Sequence, residues 1–242
     1  MLDYYRMYVW YDMCAVLFGR ELHWLVSNRN RSLRNDSIDF CKCFKFVYFP
    51  EFTFLSFSSM YYFLALDGSS ILNSQEREAV SELQSYSNSL LLYRASDNTF
   101  SSQTYYSLIS GRTKVLTIYR VKNYVFGSYI HIANPYPNIA WQKDSNAFLF
   151  SLRRNGTSNA VKFSIIESDY AFYSHYSYMA YNGRADLYVA NQPFSNTGSS
   201  SNLGLSYSAP SGCTYNSVCA YTFLAGAYSG WYVDEIEAYQ LS

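Results

Sequence analysis

Ala147-Phe148-Leu149-Phe150-Ser151-Leu152, running on through Arg153 and Arg154 to Asn155-Gly156, is the stretch that decides the fold. The run is too short for a stable helix and is rich in aromatic residues, so it reads as a strand. Asn-Gly at its end is a strong hairpin signal, because both central residues of a tight primed turn need positive φ. The next apolar run, Val161 to Ile166, then supplies the returning strand. A strand with one wet face alternates apolar and polar residues; this one is nearly apolar on both faces, so both must be covered. A helix or the N-terminal extension is expected to provide the second cover.

The same pattern extends to either side. Val115 to Arg120, Tyr124 to His131, Tyr170 to His175, Asp186 to Ala190 and Trp231 to Tyr239 are short and rich in β-branched or aromatic residues. Lys122-Asn123, Asn134-Pro135, Asn155-Gly156 and Asn182-Gly183 separate them as turns. Many short strands with Gly, Pro and Asn turns predict a mainly β protein with α+β character: a two-sheet antiparallel β-sandwich flanked by a few short helices. In the last strand the apolar phase slips between Trp231/Val233 and Ile236/Ala238, which predicts a β-bulge near Asp234-Glu235. Upstream, Asn73 and Glu76 form a capping box, and Leu72, Ala79, Val80 and Leu83 share one helical face, with Glu76, Glu78 and Glu82 on the wet side. Leu90 to Arg94 reads as a short strand. Ser101 or Ser102 caps a second short helix through Ile109, with Gly111 at the left-handed C-terminal position. Gln192 to Gly212, rich in Ser, Asn and Gly, reads as an exposed loop.

The formal net charge is zero, which argues against nucleic-acid binding and against a polybasic membrane anchor. Charged residues make up 15% and apolar ones 49%, a balance that favours folding over disorder. Aromatics reach 20%, with Tyr well ahead of Phe and Trp, and Tyr suits both strands and binding surfaces. Cys14, Cys41, Cys43, Cys213 and Cys219 are odd in number and irregularly spaced, so no disulfide framework is expected. Cys213 and Cys219 flank a short loop and read as reduced, partly buried thiols, with pairing in an oxidising compartment as the alternative. Residues 1–69 form an aromatic-rich N-terminal extension without a clean period, and residues 70–242 the main domain. The apolar run 46–66 is long enough to span a bilayer, but Pro50, Glu51 and recurring Ser and Thr weaken that reading. No signal peptide is evident; a cytoplasmic location is expected, with membrane association as the alternative.

The main domain resembles the TLDc family, the TBC/LysM-associated module of the oxidation-resistance proteins. The resemblance rests on an ordered set of strings. These are Leu91-Leu92-Tyr93-Arg94-Ala95-Ser96 with Phe100-Ser101, then Val125-Phe126-Gly127, Trp141, Asp144, and Ala147 to Leu152. Ser201-Asn202-Leu203-Gly204, Phe223-Leu224-Ala225-Gly226 and Val233-Asp234-Glu235-Ile236-Glu237 complete it. It implies two antiparallel sheets with a pair of helices packed around them and a role in oxidative-stress protection. In several members it also implies binding to the vacuolar proton pump, the V-ATPase, and it brings no accepted catalytic mechanism. One segment departs from the family pattern. Where members carry a Gly-rich Gly-Gly-Gly-His-Asp-Leu-Tyr-Ile string, this chain has Tyr178 to Val189, retaining Asp186, Leu187 and Tyr188. The Gly-Gly-Tyr usual after Phe-Gly is Gly127-Ser128-Tyr129.

No phosphate-binding loop, Cys-x-x-Cys pair or His-Glu-x-x-His string is present, and Cys41-Lys42-Cys43 alone cannot complete a zinc site. Neither a cofactor nor a metal is expected. His131 and His175, each beside tyrosines, read as hydrogen-bonded strand residues. Asp186, Asp234, Glu235 and Glu237 are the polar candidates. They read either as carboxylates bonded to backbone amides or as an acidic contact surface for a protein partner, with proton transfer a distant third. Trp231 is a candidate binding anchor. Gly111, Gly127, Trp141, Gly204 and Gly226 carry the structural motif, with Trp141 expected in the core. The expected function is non-enzymatic protein binding, with V-ATPase peripheral subunits as candidate partners. An oxidant-handling enzyme using Cys213 and Cys219, and an extracellular carbohydrate-binding sandwich using exposed Tyr and Trp, are the alternatives.

Overall fold

The computed structural model describes residues 66–242 and, before them, the backbone of four strands. Those strands, β1 (Tyr8–Trp10), β2 (Met13–Phe18), β3 (Glu21–Val26) and β4 (Phe44–Val47), form an antiparallel sheet in sequential order. Cys41-Lys42-Cys43 and the interior of the 46–66 run lie outside the described residues. Among the described residues no helix is long and apolar enough to cross a membrane.

From Leu66 onward the chain builds two six-stranded sheets. The first contains β5 (Ser89–Arg94), β6 (Val115–Val121), β7 (Tyr124–Ile130), β9 (Phe148–Arg154), β10 (Thr157–Ser164) and β16 (Glu235–Leu241). Its order is β10-β9-β7-β6-β16-β5, so the strand nearest the end of the sequence lies inside the sheet. The second contains β8 (Ala140–Gln142), β11 (Phe172–Ser174), β12 (Tyr178–Asn182), β13 (Leu187–Ala190), β14 (Ser199–Ser201) and β15 (Ser229–Trp231), in the order β15-β14-β13-β12-β11-β8. Four short helices flank them: α1 (Ser74–Leu83), α2 (Ala95–Asn98), α3 (Ser102–Ile109) and α4 (Val218–Thr222). All strand pairings between named strands are antiparallel, so the predicted sandwich is the architecture found.

The core between the sheets packs Tyr119, Phe126, Leu149, Val233, Ile236 and Ala238 against Phe172, Met179, Leu187 and Val189. A second core lies on the far face of the first sheet. There Phe148, Phe150 and Leu152 of β9 meet Leu116, Ile118 and Tyr239, roofed by Ile71, Leu72 and Val80. The doubly apolar β9 is therefore covered on both faces, and α1 with its lead-in segment is the cover. Each large side chain so enclosed contributes about 1.5–3 kcal/mol. The hairpin turn is as read: Asn155 has φ +49° and Gly156 +83°. In the middle of β7, Gly127 sits where a Cβ would collide with the Thr117 carbonyl and the Phe150 ring, so no larger residue fits.

Three local expectations are corrected. Glu76 completes the capping box, its backbone N–H donating to Asn73 Oδ1 at 2.9 Å while Asn73 N donates to Glu76 Oε2 at 3.1 Å. It is nonetheless buried, because Arg153 donates to both its oxygens at 2.7 and 2.6 Å and Ser158 adds a third bond at 2.9 Å. The phase slip after Trp231 is not a bulge. Trp231 ends β15 in the second sheet, and Tyr232 to Asp234 carry the chain over to β16 in the first. The register irregularity of β16 lies further on, against β5, between Ala238 and Tyr239. Finally, the segment Gln192 to Gly212 is an exposed loop only in part, chiefly over Phe194 to Gly198. It contains β14, and Ser199, Ser201, Leu203, Ser206 and Tyr207 are buried. Serine enters a core when its hydroxyl finds a partner. Ser199 Oγ accepts from Ala190 N at 3.2 Å, and Ser201 Oγ donates to the Tyr221 carbonyl at 2.9 Å.

Candidate functional site

The carboxylates picked from the sequence are dispersed, and most face inward. Asp186, fully buried just before β13, accepts from the backbone N–H groups of Gly204, Leu205, Ser206 and Tyr207 at 2.8–3.3 Å. Burial pushes its carboxyl above the usual range, and the four amides pull the other way. Its task is to hold the 204–207 turn, where Gly204 takes φ +112°. Glu237 is likewise fully buried. Its Oε1 accepts from Ser70 N at 2.8 Å, Ser70 Oγ at 2.9 Å and Arg94 Nε at 2.9 Å. Its Oε2 accepts from Ser69 Oγ at 2.6 Å and Tyr239 Oη at 3.0 Å. Burial raises the Glu237 pKa, but donors from Ser69, Ser70 and Arg94 outweigh it and hold the carboxyl below its ordinary value.

Glu235 is 6% exposed and accepts from Ser96 N at 3.1 Å in α2. Asp234 is exposed, but its carboxylate closes the Lys122 turn, accepting Lys122 N at 2.5 Å. The expected acidic contact surface on the last strand is therefore not formed: Glu235 and Glu237 tie segments of the fold together. Among the described residues no group of three or more His, Cys, Asp or Glu is arranged to hold a metal.

The two tryptophans exchange their expected places. Trp231 is buried, edge-on to Phe126 at 5.7 Å, in the inter-sheet core. Trp141, expected in the core, is half-buried on edge strand β8 and belongs to the outer face of the second sheet. Gly111 does take the left-handed conformation expected after α3, with φ +69°. Gly226 also has positive φ and lies where a Cβ would meet the Tyr124 ring at 2.7 Å. Cys213 and Cys219 are joined in a disulfide, against the expectation of two free thiols; their Cα atoms stand 5.9 Å apart.

The feature that stands out is the outer face of the second sheet. On β11 and β13, Phe172, Leu187 and Val189 point into the core, so the alternation of a strand sends Tyr173 and Tyr188 outward. On β12 the register shifts between Tyr178 and Ala180, placing Met179 and Ala180 both inside. That irregularity leaves Tyr178 and Tyr181 both outside. Cross-strand pairing then sets Trp141 opposite Tyr173 and Tyr181 opposite Tyr188. The Trp141 ring lies 5.2 Å from Tyr173, 5.2 Å from Tyr181 and 5.4 Å from Tyr170. Tyr178 continues the array, 5.6 Å from Tyr181 and 5.0 Å from Tyr188, and His175 joins it at 5.2 Å from Tyr178. Tyr176, stacked on His175 at 4.7 Å, is half exposed.

The rim charges of this face are paired among themselves. Arg184 bridges Glu167 at 2.6 Å and lies 4.8 Å over the Tyr170 ring, while Lys143 bridges Asp169 at 2.8 Å. The hydrogen bonds between Arg184 and Glu167 hold the carboxyl of Glu167 below its ordinary value. The result is an electrically neutral aromatic carpet with no element of residues 66–242 over it, whereas the corresponding face of the first sheet is roofed by α1. Sequence reading singled out neither Tyr173 nor Tyr181. Their signal was the recurrence of Tyr on consecutive strands, hidden by the β12 irregularity.

A cleft of about 360 Å³ opens at the end of the first sheet beside Gln84, His131, Asn146 and Lys162. Lys162 is engaged there: its ammonium donates to the Leu83 carbonyl at 2.8 Å, at the C-terminal end of α1, and lies 4.0 Å over Phe148. Burial lowers its pKa. His131 Nδ1 is within 3.2 Å of Tyr129 Oη. Lys162 fastens the helix to the sheet.

The TLDc domain family model matches residues 66–242 of the chain. No curated protein matches it.

Proposed function

The chain belongs to the TLDc domain family, and from that premise we propose that residues 66–242 work as a non-enzymatic protein-interaction module that docks through the outer face of the second sheet. One observation carries the reading: Trp141, Tyr173, Tyr178, Tyr181 and Tyr188 form a contiguous, half-buried aromatic surface that no other element of residues 66–242 covers. Contiguous exposed apolar patches mark interaction sites, and Trp and Tyr dominate binding hot spots. A neutral rim favours a partner that also meets it without net charge. The family resemblance supplies the candidate partner, a peripheral subunit of the V-ATPase, and the candidate role, protection against oxidative stress, with a cytoplasmic location to match. Capture of purified V-ATPase peripheral subunits by the full chain tests this. Trp141→Ala with Tyr181→Ala is expected to abolish capture while cooperative unfolding persists. Undiminished capture by that variant removes this face from the interface.

The Cys213–Cys219 bond favours a second reading, an extracellular sandwich that binds carbohydrate through the same rings. Glycan attached at Asn155, on the exposed hairpin turn, together with retention on a polysaccharide resin, supports it. An unmodified Asn155 and free thiols in protein from the native cell dismiss it. The oxidant-consuming enzyme is the weaker alternative, because its two reactive groups are tied to each other in the disulfide.

A further inference from the structure

The aromatic array has a chemical property that docking does not use. Indole and phenol are the aromatic side chains that most readily give up one electron. A neutral indolyl radical oxidises a neighbouring phenol, because the tyrosyl radical is the more stable product once its proton has left. Electron tunnelling falls exponentially with separation, so rings in contact exchange an electron faster than any encounter in solution. Trp141 touches three phenols, Tyr170, Tyr173 and Tyr181, with ring centres 5.2–5.4 Å away. Tyr181 in turn lies 5.6 Å from Tyr178 and 5.7 Å from Tyr188. Trp231 shows the contrast: it is buried, and the ring packed on it is Phe126, which an indolyl radical cannot oxidise.

We propose that Trp141 is the entry point of a one-electron relay that moves an oxidising equivalent from a surface radical onto the tyrosines of the second sheet. The oxidant is a one-electron radical of the peroxyl or azidyl class. In the first step it takes an electron from the Trp141 indole and becomes its anion, while the indole N–H proton leaves to water. In the second step the indolyl radical takes an electron from Tyr173, Tyr181 or Tyr170 and a proton from water. The phenol proton is released to water. The indole is restored, one tyrosyl radical remains, and exchange among Tyr181, Tyr178 and Tyr188 spreads it over the face. The half-buried position of Trp141 on an edge strand lets the radical reach it.

Pulse radiolysis of the full chain in azide solution tests the relay, since azidyl radicals oxidise tryptophan. The expected record is decay of the indolyl absorption matched by growth of the tyrosyl absorption, at a rate independent of protein concentration. Trp141→Phe is expected to remove the share of that phase that Trp141 supplies, the other three tryptophans being left in place. The triple variant Tyr170→Phe/Tyr173→Phe/Tyr181→Phe keeps every ring, and so the packing, yet is expected to lose the same share. A wild-type chain without concentration-independent transfer overturns the proposal, as does either variant retaining the full amplitude. The inference stands apart from the docking proposal: the triple Phe variant can lose the relay while still capturing a partner, and failure to capture leaves the relay untouched.

Discussion

Replacing Glu237 by Gln preserves its shape and removes only its charge, which makes it a sharp probe of how the fold is tied together. The carboxylate receives five donors, three on one oxygen and two on the other. An amide must turn its NH2 group toward one of these sets, so at least one donor is left facing a donor. Hydrogen bonds to a charged group contribute about 1.5–3 kcal/mol each. Arg94 also loses its buried counter-ion, and halving a buried pair costs about 3–5 kcal/mol. The Arg94 side chain is 18% exposed and reaches Asp97 at 3.4 Å, so part of its charge stays served. The expected loss is therefore about 3 kcal/mol, at the lower end of that range. Urea unfolding at neutral pH, with the slope unchanged, measures it.

The pH dependence gives an independent check. The folded pKa of Glu237 is depressed, so its contribution is fully present above the ordinary carboxylate value of about 4.3 and is lost as pH falls through the folded value. The gap between wild type and variant must therefore narrow on acidification. A loss under about 1 kcal/mol at neutral pH, which is less than one bond to a charged acceptor, or a gap that persists undiminished in acid, refutes the reasoning.

Three further outcomes are expected. Asp186→Ala strands four backbone amides inside the protein and should cost about 3 kcal/mol or more. Hydrogen exchange at Gly204, Leu205, Ser206 and Tyr207 should rise before exchange elsewhere, and uniform acceleration contradicts the anchoring role. Gly127→Ala forces a methyl against the Thr117 carbonyl and Phe150, and thermal melting should show a loss at or beyond the ~1–3 kcal/mol typical of overpacking. Cys213→Ser with Cys219→Ser opens a short loop and should lower stability by about 2 kcal/mol on chain-entropy grounds; equal melting curves with and without reductant count against a formed bond.

Where local chemistry decides structure, the sequence was sufficient. Asn73 and Glu76 announced α1, Asn155-Gly156 fixed a hairpin, Gly111 ended α3, and the two-faced apolar run at 147–152 demanded a roof. The failures share a different cause, which is partners far along the chain. Glu76 looked wet because Arg153 and Ser158, which bury it, lie 77 and 82 residues away. The Ser-rich stretch after Gln192 looked like loop because serine gives no apolar period, and its hydroxyls find partners only in the folded sheet. Trp141 and Trp231 both sit on short strands that form the two edges of the second sheet, and only the face each ring takes in the folded sheet distinguishes surface from interior. Of the candidate site, the residue types were visible in the excess of tyrosine. Their convergence on one face was not, since it depends on a register shift in β12.

The placement of β16 between β6 and β5 has a consequence for biogenesis. A ribosome delivers β5 early and its ladder partner more than a hundred residues later, as the pairing of Arg94 with Glu237 shows. Throughout that interval both flanking strands offer open hydrogen-bonding edges to any neighbour. Nascent chains crowded on one message can therefore trade their final strands, and intertwined dimers are the misassembly to look for when the protein is overproduced.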